Sequence, residues 1–94
     1  MQFVTRTITE NRVVVFSKSY CPYSMRGKAV MRRHLGEGGV AVVELDERDD
    51  MAELQDELQH VTGGRTVPRI FVDQQFIGGA DDVAALDSSG ELER

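Results

Sequence analysis

The chain holds one cysteine, Cys21, and three places later, where a second cysteine would complete a Cys-x-x-Cys dithiol, it carries Ser24. The stretch SYCPYSMRG therefore offers a thiol and a hydroxyl one helical turn apart. Internal dithiol–disulfide exchange is closed to it, but single-thiol chemistry is not. A thiolate can attack an external disulfide, and the resulting mixed disulfide then waits for a second external thiol. The neighbours favour a thiolate. Lys18 lies just before Cys21, Arg26 lies one turn into a predicted helix, and Pro22 suits that helix's first turn. Cations and a helix N-terminus together bring cysteine pKa values into the range of roughly 3.5–7.5. A lone cysteine is most often a small buried hydrophobe. Cys21, however, is flanked by Tyr20, Pro22, Tyr23 and cations, not by aliphatic residues. Ser24 falls where its hydroxyl can face the sulfur and donate a weak hydrogen bond.

Composition narrows the classes. Ninety-four residues make a single domain, 1–94, with one modest core. The net charge of -5 and the scattered cations argue against a nucleic-acid partner, which needs clustered Lys and Arg. No apolar run approaches the roughly 20 residues of a membrane span, so no membrane partner is expected. The first residues, MQFVTRTITENR, lack the apolar stretch of a secretory signal. One cysteine forms no internal disulfide, so a reducing, cytoplasmic setting is expected, with an organelle reached after loss of a transit peptide as the alternative. His34 and His60 lie far from Cys21 in sequence and make a poor ligand set, so no metal site is expected.

The elements that must position Cys21 follow from periodicity. VVVF, Val13 to Phe16, reads as a buried strand. After the loop SKSYC comes a helix with Gly27, Val30, Met31, His34 and Leu35 on one face and Arg26, Lys28, Arg32 and Arg33 on the other. GEGG, residues 36–39, ends it. VAVVEL, Val40 to Leu45, is a second strand. The next helix starts with Asp50 and Glu53 in capping-box spacing, carries Met51, Leu54, Leu58 and Val61 on one face, and closes at Gly63 and Gly64. Strand–helix–strand order predicts parallel pairing of the first two strands. RIFVD and QFIGG form a hairpin turning around Asp73 to Gln75. A short helix at about Asp81 to Leu86 completes the chain. Cys21 thus stands between a strand end and a helix start, where α/β folds put reactive groups.

CPYS after VVVFSKSY resembles the CPYC site of glutaredoxins, and RTVPRIFVDQQFIGG followed by ADD resembles the second half of that family's signature. The resemblance runs from about Val13 to Leu92. It implies an α/β, thioredoxin-like fold: a four-stranded mixed sheet flanked by helices, with Val67-Pro68 as a cis-proline turn beside the active cysteine. It also implies a glutathione site. Cys21 would exchange with the glutathione sulfur, and the Val67 backbone would pair strand-like with the tripeptide. Lys18 and Gln59, helped by Arg65, would hold the glycine carboxylate. The Asp81 backbone and the Asp82 carboxylate would meet the γ-glutamyl end, while Tyr23, Thr66 and Pro68 line the groove and Gly78-Gly79 let the backbone come close. Asp82 could equally cap the last helix, or serve both ends.

Ser24 departs from the dithiol pattern, and Pro22 and Tyr23 do not match the CGFS subfamily. The frame fits a natural single-cysteine variant or a cysteine-to-serine replacement that traps a mixed disulfide, with a slight leaning to the latter. The implied function is a monomeric, glutathione-dependent thiol–disulfide oxidoreductase acting on glutathionylated proteins by a monothiol route through Cys21. An alternative is a dimer bridging a [2Fe–2S] cluster with two Cys21 thiolates and two glutathiones, which the stiffness of Pro22 disfavours.

Overall fold

The structure is a computed structural model that describes residues 2–93. In chain order it contains α1 (Gln2–Glu10), β1 (Val13–Ser17), α2 (Pro22–Leu35), β2 (Ala41–Glu44), α3 (Met51–Thr62), β3 (Arg69–Val72), β4 (Gln75–Gly78) and α4 (Ala80–Ser89). Short 3-10 turns follow α2, β2 and α4. The sheet order is β2-β1-β3-β4. β1 and β2 pair in parallel, β1 with β3 and β3 with β4 antiparallel. This is the mixed four-stranded sheet and thioredoxin-like architecture that the sequence implied.

β1 explains why its sequence shows no polar alternation. All five of its residues are buried, because both faces of the central strand are covered. Val14 and Phe16 join Val4, Ile8, Leu54, Leu58 and Phe71 under α1 and α3. Val13 and Val15 join Met31, Ile70 and Val83 under α2 and α4. On the first face the Phe16 and Phe71 rings meet edge to face, 5.8 Å between centroids.

One local feature lies outside the sequence reading and three differ from it. The N-terminal segment is helical, although QFVTRTITE is rich in β-branched residues that weaken helix propensity. Val4 and Ile8, one turn apart, are buried against the sheet, and that packing outweighs propensity. The Thr7 hydroxyl donates back to the Phe3 carbonyl at 2.7 Å. Secondly, Lys28 does not lie on the solvent face of α2. It is buried with Ser24, one turn before it, and its ammonium bonds Glu44 Oε2 at 2.6 Å. Thirdly, Asp50 caps nothing with its side chain. Its carboxylate instead takes two bonds from the Arg48 guanidinium, at 2.8 and 3.1 Å. Val61, placed on the apolar face of α3, is exposed at the end of the helix.

Boundaries shift modestly. β2 stops at Glu44 and Leu45 begins a 3-10 turn, while α4 runs from Ala80 to Ser89, longer at both ends than expected. The hairpin turn consists of Asp73 and Gln74, with φ of 50° and 70°, so Gln75 already belongs to β4. Two left-handed residues match the twist of paired strands.

Candidate functional site

Cys21 is the N-cap residue of α2, in extended conformation (φ -86°, ψ 119°), and Pro22 takes the first helical position. That placement follows from the sequence. Proline fixes φ near the helical value and gives up an N–H that has no helical partner there. The preceding turn is closed by the Cys21 N–H, which donates to the Lys18 carbonyl at 3.1 Å. It is fastened to the helix by the Lys18 N–H, which donates to Ser24 Oγ at 3.3 Å.

The Cys21 thiol is half-buried and in no disulfide. Burial acts to raise its pKa. The Ser24 N–H and hydroxyl, the Tyr23 N–H and the Lys18 charge outweigh burial together and hold it below the ordinary thiol value. Ser24, whose side chain is fully buried, thus accepts from the Lys18 N–H while its own N–H and hydroxyl favour the thiolate. Arg26, singled out beside Lys18 as a cation for the thiolate, is placed otherwise. Its guanidinium bonds Asp81 at 2.8 Å and lies 5.1 Å from the Tyr23 ring centroid. The electrostatic support at the sulfur comes from Lys18 and the helix start.

From Tyr23 a shallow groove of about 240 Å³ runs between the Thr66–Arg69 segment and the Gly79–Asp82 start of α4. The Val67-Pro68 peptide is cis, as the resemblance implied. Gly27 lets α2 lie close to this segment, because a Cβ there would stand 3.3 Å from Pro68 Cγ and 3.1 Å from Ile70 Cδ1. On the other wall the Asp82 carboxylate accepts the Gly79 N–H at 3.1 Å, so it caps α4. Gly78 makes room for that carboxylate: its φ is 121°, and a Cβ there would meet Asp82 Oδ2 at 2.4 Å.

The structure brings Tyr23, Thr66, Val67, Pro68, Gly79, Asp81 and Asp82 to this groove. Cys21, Lys18, Gln59 and Arg65 are not among the residues that line it. Gln59 is exposed on α3, and Arg65 is ion-paired with Asp56. Gln55, one turn before Gln59, ties α3 to the loop by donating to the Arg65 carbonyl at 2.9 Å.

Two residues that the sequence reading missed act here. Arg69 reaches the groove while its guanidinium donates to the Thr66 carbonyl at 2.8 Å and lies 5.2 Å from the Phe76 centroid. Asp46, just past β2, takes the Ser19 N–H at 2.8 Å and the Ser19 hydroxyl. A larger hollow of about 660 Å³, lined by Val13, Met31 and Val72 among others, lies at the opposite end of the sheet from Cys21.

Comparison with known proteins agrees with this geometry. Residues 13–77 match the family model described as Glutaredoxin. The chain is 47% identical over 92 residues to monothiol glutaredoxin-S6 of Oryza sativa subsp. japonica, covering 98% of this chain and 69% of that protein. Two further plant glutaredoxins are matched over 66% and 65% of their lengths, so the chain spans only part of these relatives. Oxidized glutaredoxin 2 from Chlamydomonas reinhardtii superposes with a TM-score of 0.91 at 42% identity, covering 96% of this chain and 83% of that one. A buckwheat glutaredoxin–glutathione complex gives 0.89 at 35% identity, covering 97% and 81%. With the fold, the cysteine at the α2 start and these relatives in agreement, the chain belongs to the glutaredoxin family.

Proposed function

We propose that the chain is a glutathione-dependent thiol–disulfide oxidoreductase that reduces protein–glutathione mixed disulfides by a monothiol route. The observation that carries this reading is the Cys21 thiol at the start of α2, depressed in pKa and two residues before Tyr23, which lines the groove. Cys21 thiolate attacks the glutathionyl sulfur. A new S–S bond forms, the old one breaks, and the target protein leaves as a thiolate that takes a proton from water. A second glutathione thiolate then attacks the glutathione sulfur on Cys21, releasing oxidised glutathione and regenerating the thiolate. A low pKa makes Cys21 both available at neutral pH and a good leaving group in the second step. No thiol stands at position 24 to expel glutathione from within.

Glutathione carries two carboxylates and an ammonium, and the groove offers matching chemistry. The Val67 backbone pairs with the tripeptide, and Thr66, Pro68 and Tyr23 contact its body. The backbone at Gly79 and Asp81 and the carboxylate of Asp82 receive the γ-glutamyl end. Lys18, with Gln59 and Arg65 outside the groove lining, attracts the glycine carboxylate. The buckwheat relative solved with glutathione supports this ligand, and the rice relative named as monothiol supports a single-thiol route.

A [2Fe–2S] cluster needs four sulfur ligands, and this chain supplies one cysteine. Among the described residues no group of three or more His, Cys, Asp or Glu could hold a metal ion. A shared cluster would draw one Cys21 thiolate from each of two copies and two thiolates from glutathione.

Incubation with oxidised glutathione followed by mass spectrometry tests the reading. The expected product carries one glutathione per chain, removable by reductant, and Cys21→Ser carries none and turns over no glutathionylated substrate. Appreciable turnover by Cys21→Ser would sink the assignment, because a serine hydroxyl is not a competent nucleophile without a base to activate it.

A further inference from the structure

In the parallel register of β1 and β2, Ser17 stands opposite Glu44. Two residues further along each chain come Ser19 and Asp46, so the end of β2 delivers a carboxylate beside the loop that leads to Cys21. Asp46 accepts both hydrogens Ser19 can give: the N–H on Oδ1 at 2.8 Å and the hydroxyl on Oδ2. Ser19 lies inside the turn that the Cys21 N–H closes on the Lys18 carbonyl. That turn is therefore fastened twice, to α2 through Ser24 and to the end of β2 through Asp46. The Ser19 hydroxyl and N–H hold the Asp46 carboxyl below the ordinary carboxylate range, with burial opposing and the Lys18 charge adding to the effect.

We propose that Asp46 is a positioning residue for the reaction assigned above: by gripping Ser19 it fixes the Lys18–Cys21 turn, and so sets where the Lys18 ammonium stands relative to the sulfur. The inference rests on Cys21 being the attacking thiolate. Lys18 has a long flexible stem, and its charge acts steadily on the sulfur only when the backbone that carries it is held. Asp46 also draws on that same ammonium. Its grip and its charge thus act on the thiolate in opposite senses, and the two can be separated. Asp46→Asn and Asp46→Ala remove the same charge, but asparagine keeps an oxygen that can accept from Ser19. The difference between these variants reads the grip alone.

The experiment follows Cys21 alkylation by iodoacetamide against pH in the parent, Asp46→Asn, Asp46→Ala and Ser19→Ala. It is paired with kcat and KM on a glutathionylated peptide and with thermal melts. The midpoint of the alanine variant should lie above that of the asparagine variant by about half a pH unit or more, and its kcat/KM should be several-fold lower. Coincident asparagine and alanine curves in folded proteins would overturn the proposal. Where Asp46→Ala does not fold, Ser19→Ala decides: an upward shift from the parent supports the grip, and an unmoved curve overturns it. A parent with no turnover would defeat the functional reading, whereas coincident curves in an active parent would defeat the role of Asp46 alone.

Discussion

At Cys21 burial and hydrogen bonding pull in opposite directions, and the hydrogen bonds prevail. Two outcomes are expected of this balance. Alkylation of Cys21 should titrate below the ordinary thiol value of about 8.5, and Lys18→Glu should move the curve upward by replacing an attractive charge with a repulsive one. A parent curve at the free-thiol position would leave Cys21 an ordinary cysteine. The second concerns Ser24, whose fully buried hydroxyl helps to lower the thiol's pKa. Residues three apart at a helix start have Cα atoms about 5–6 Å apart, inside disulfide range. Ser24→Cys should therefore form an internal disulfide and should expel glutathione from Cys21 intramolecularly, with the high effective concentration of proximity. Mass spectra of both proteins, loaded with glutathione and freed of excess, check this over time. The parent should hold its adduct until an external thiol is added. Equal retention in the variant would mean that position 24 does not serve the sulfur.

Among the elements, α2 is fixed from three sides. Its start is held by the Lys18–Cys21 turn, and its middle lies on Pro68 and Ile70 across Gly27. One turn beyond Ser24, the Lys28–Glu44 ion pair joins α2 to β2 with side-chain exposures of only 11% and 19%. Removing one partner of a buried pair leaves the other charge unpaired, which costs about 3–5 kcal/mol for a fully buried pair and less where water reaches it. Lys28→Met should thus be strongly destabilising in urea unfolding. Adding Glu44→Leu to it should restore much of the loss, since an apolar pair of similar volume removes both desolvation penalties. A double variant no more stable than Lys28→Met would show that the ion pair holds α2 in some way an apolar pair cannot replace. Sequence periodicity put Lys28 in solvent because it judged the helix by residue type. Only the presence of Glu44 on the neighbouring strand makes a buried lysine affordable there.

For the whole molecule, acid stability should depend on the contact between α2 and α4. Asp87 accepts from His34 at 2.5 Å and from the Arg33 guanidinium. The His34 hydrogen bond, against the opposing effect of burial and with the Arg33 charge, holds its carboxyl below the ordinary 3.8. A carboxyl depressed in the folded state contributes stability above its unfolded pKa, and that contribution disappears as pH falls through the lower folded value. Melting temperature should fall below about pH 4, and Asp87→Asn should flatten part of that fall. An unchanged acid profile in Asp87→Asn would assign the fall to other carboxylates, such as Asp46 and Asp50, which are also depressed. Much of this molecule could be read from its residues. A continuous β-branched run marked β1, glycines and turn residues marked most boundaries, and CPYS with TVP and GG marked the groove and its cysteine, because these signals are local in the chain. The Thr-rich α1, the burial of Lys28, the pairing of Arg26 with Asp81 and the grip of Asp46 on Ser19 were not legible. Each depends on a partner that the fold brings close from a distant part of the chain: 55 residues away for Arg26 and 27 for Ser19. Residue type and spacing determined which cysteine could react and on what kind of element it stands. The tertiary structure alone decided which charges reach that cysteine, because electrostatic and hydrogen-bonding partners are chosen by distance in space.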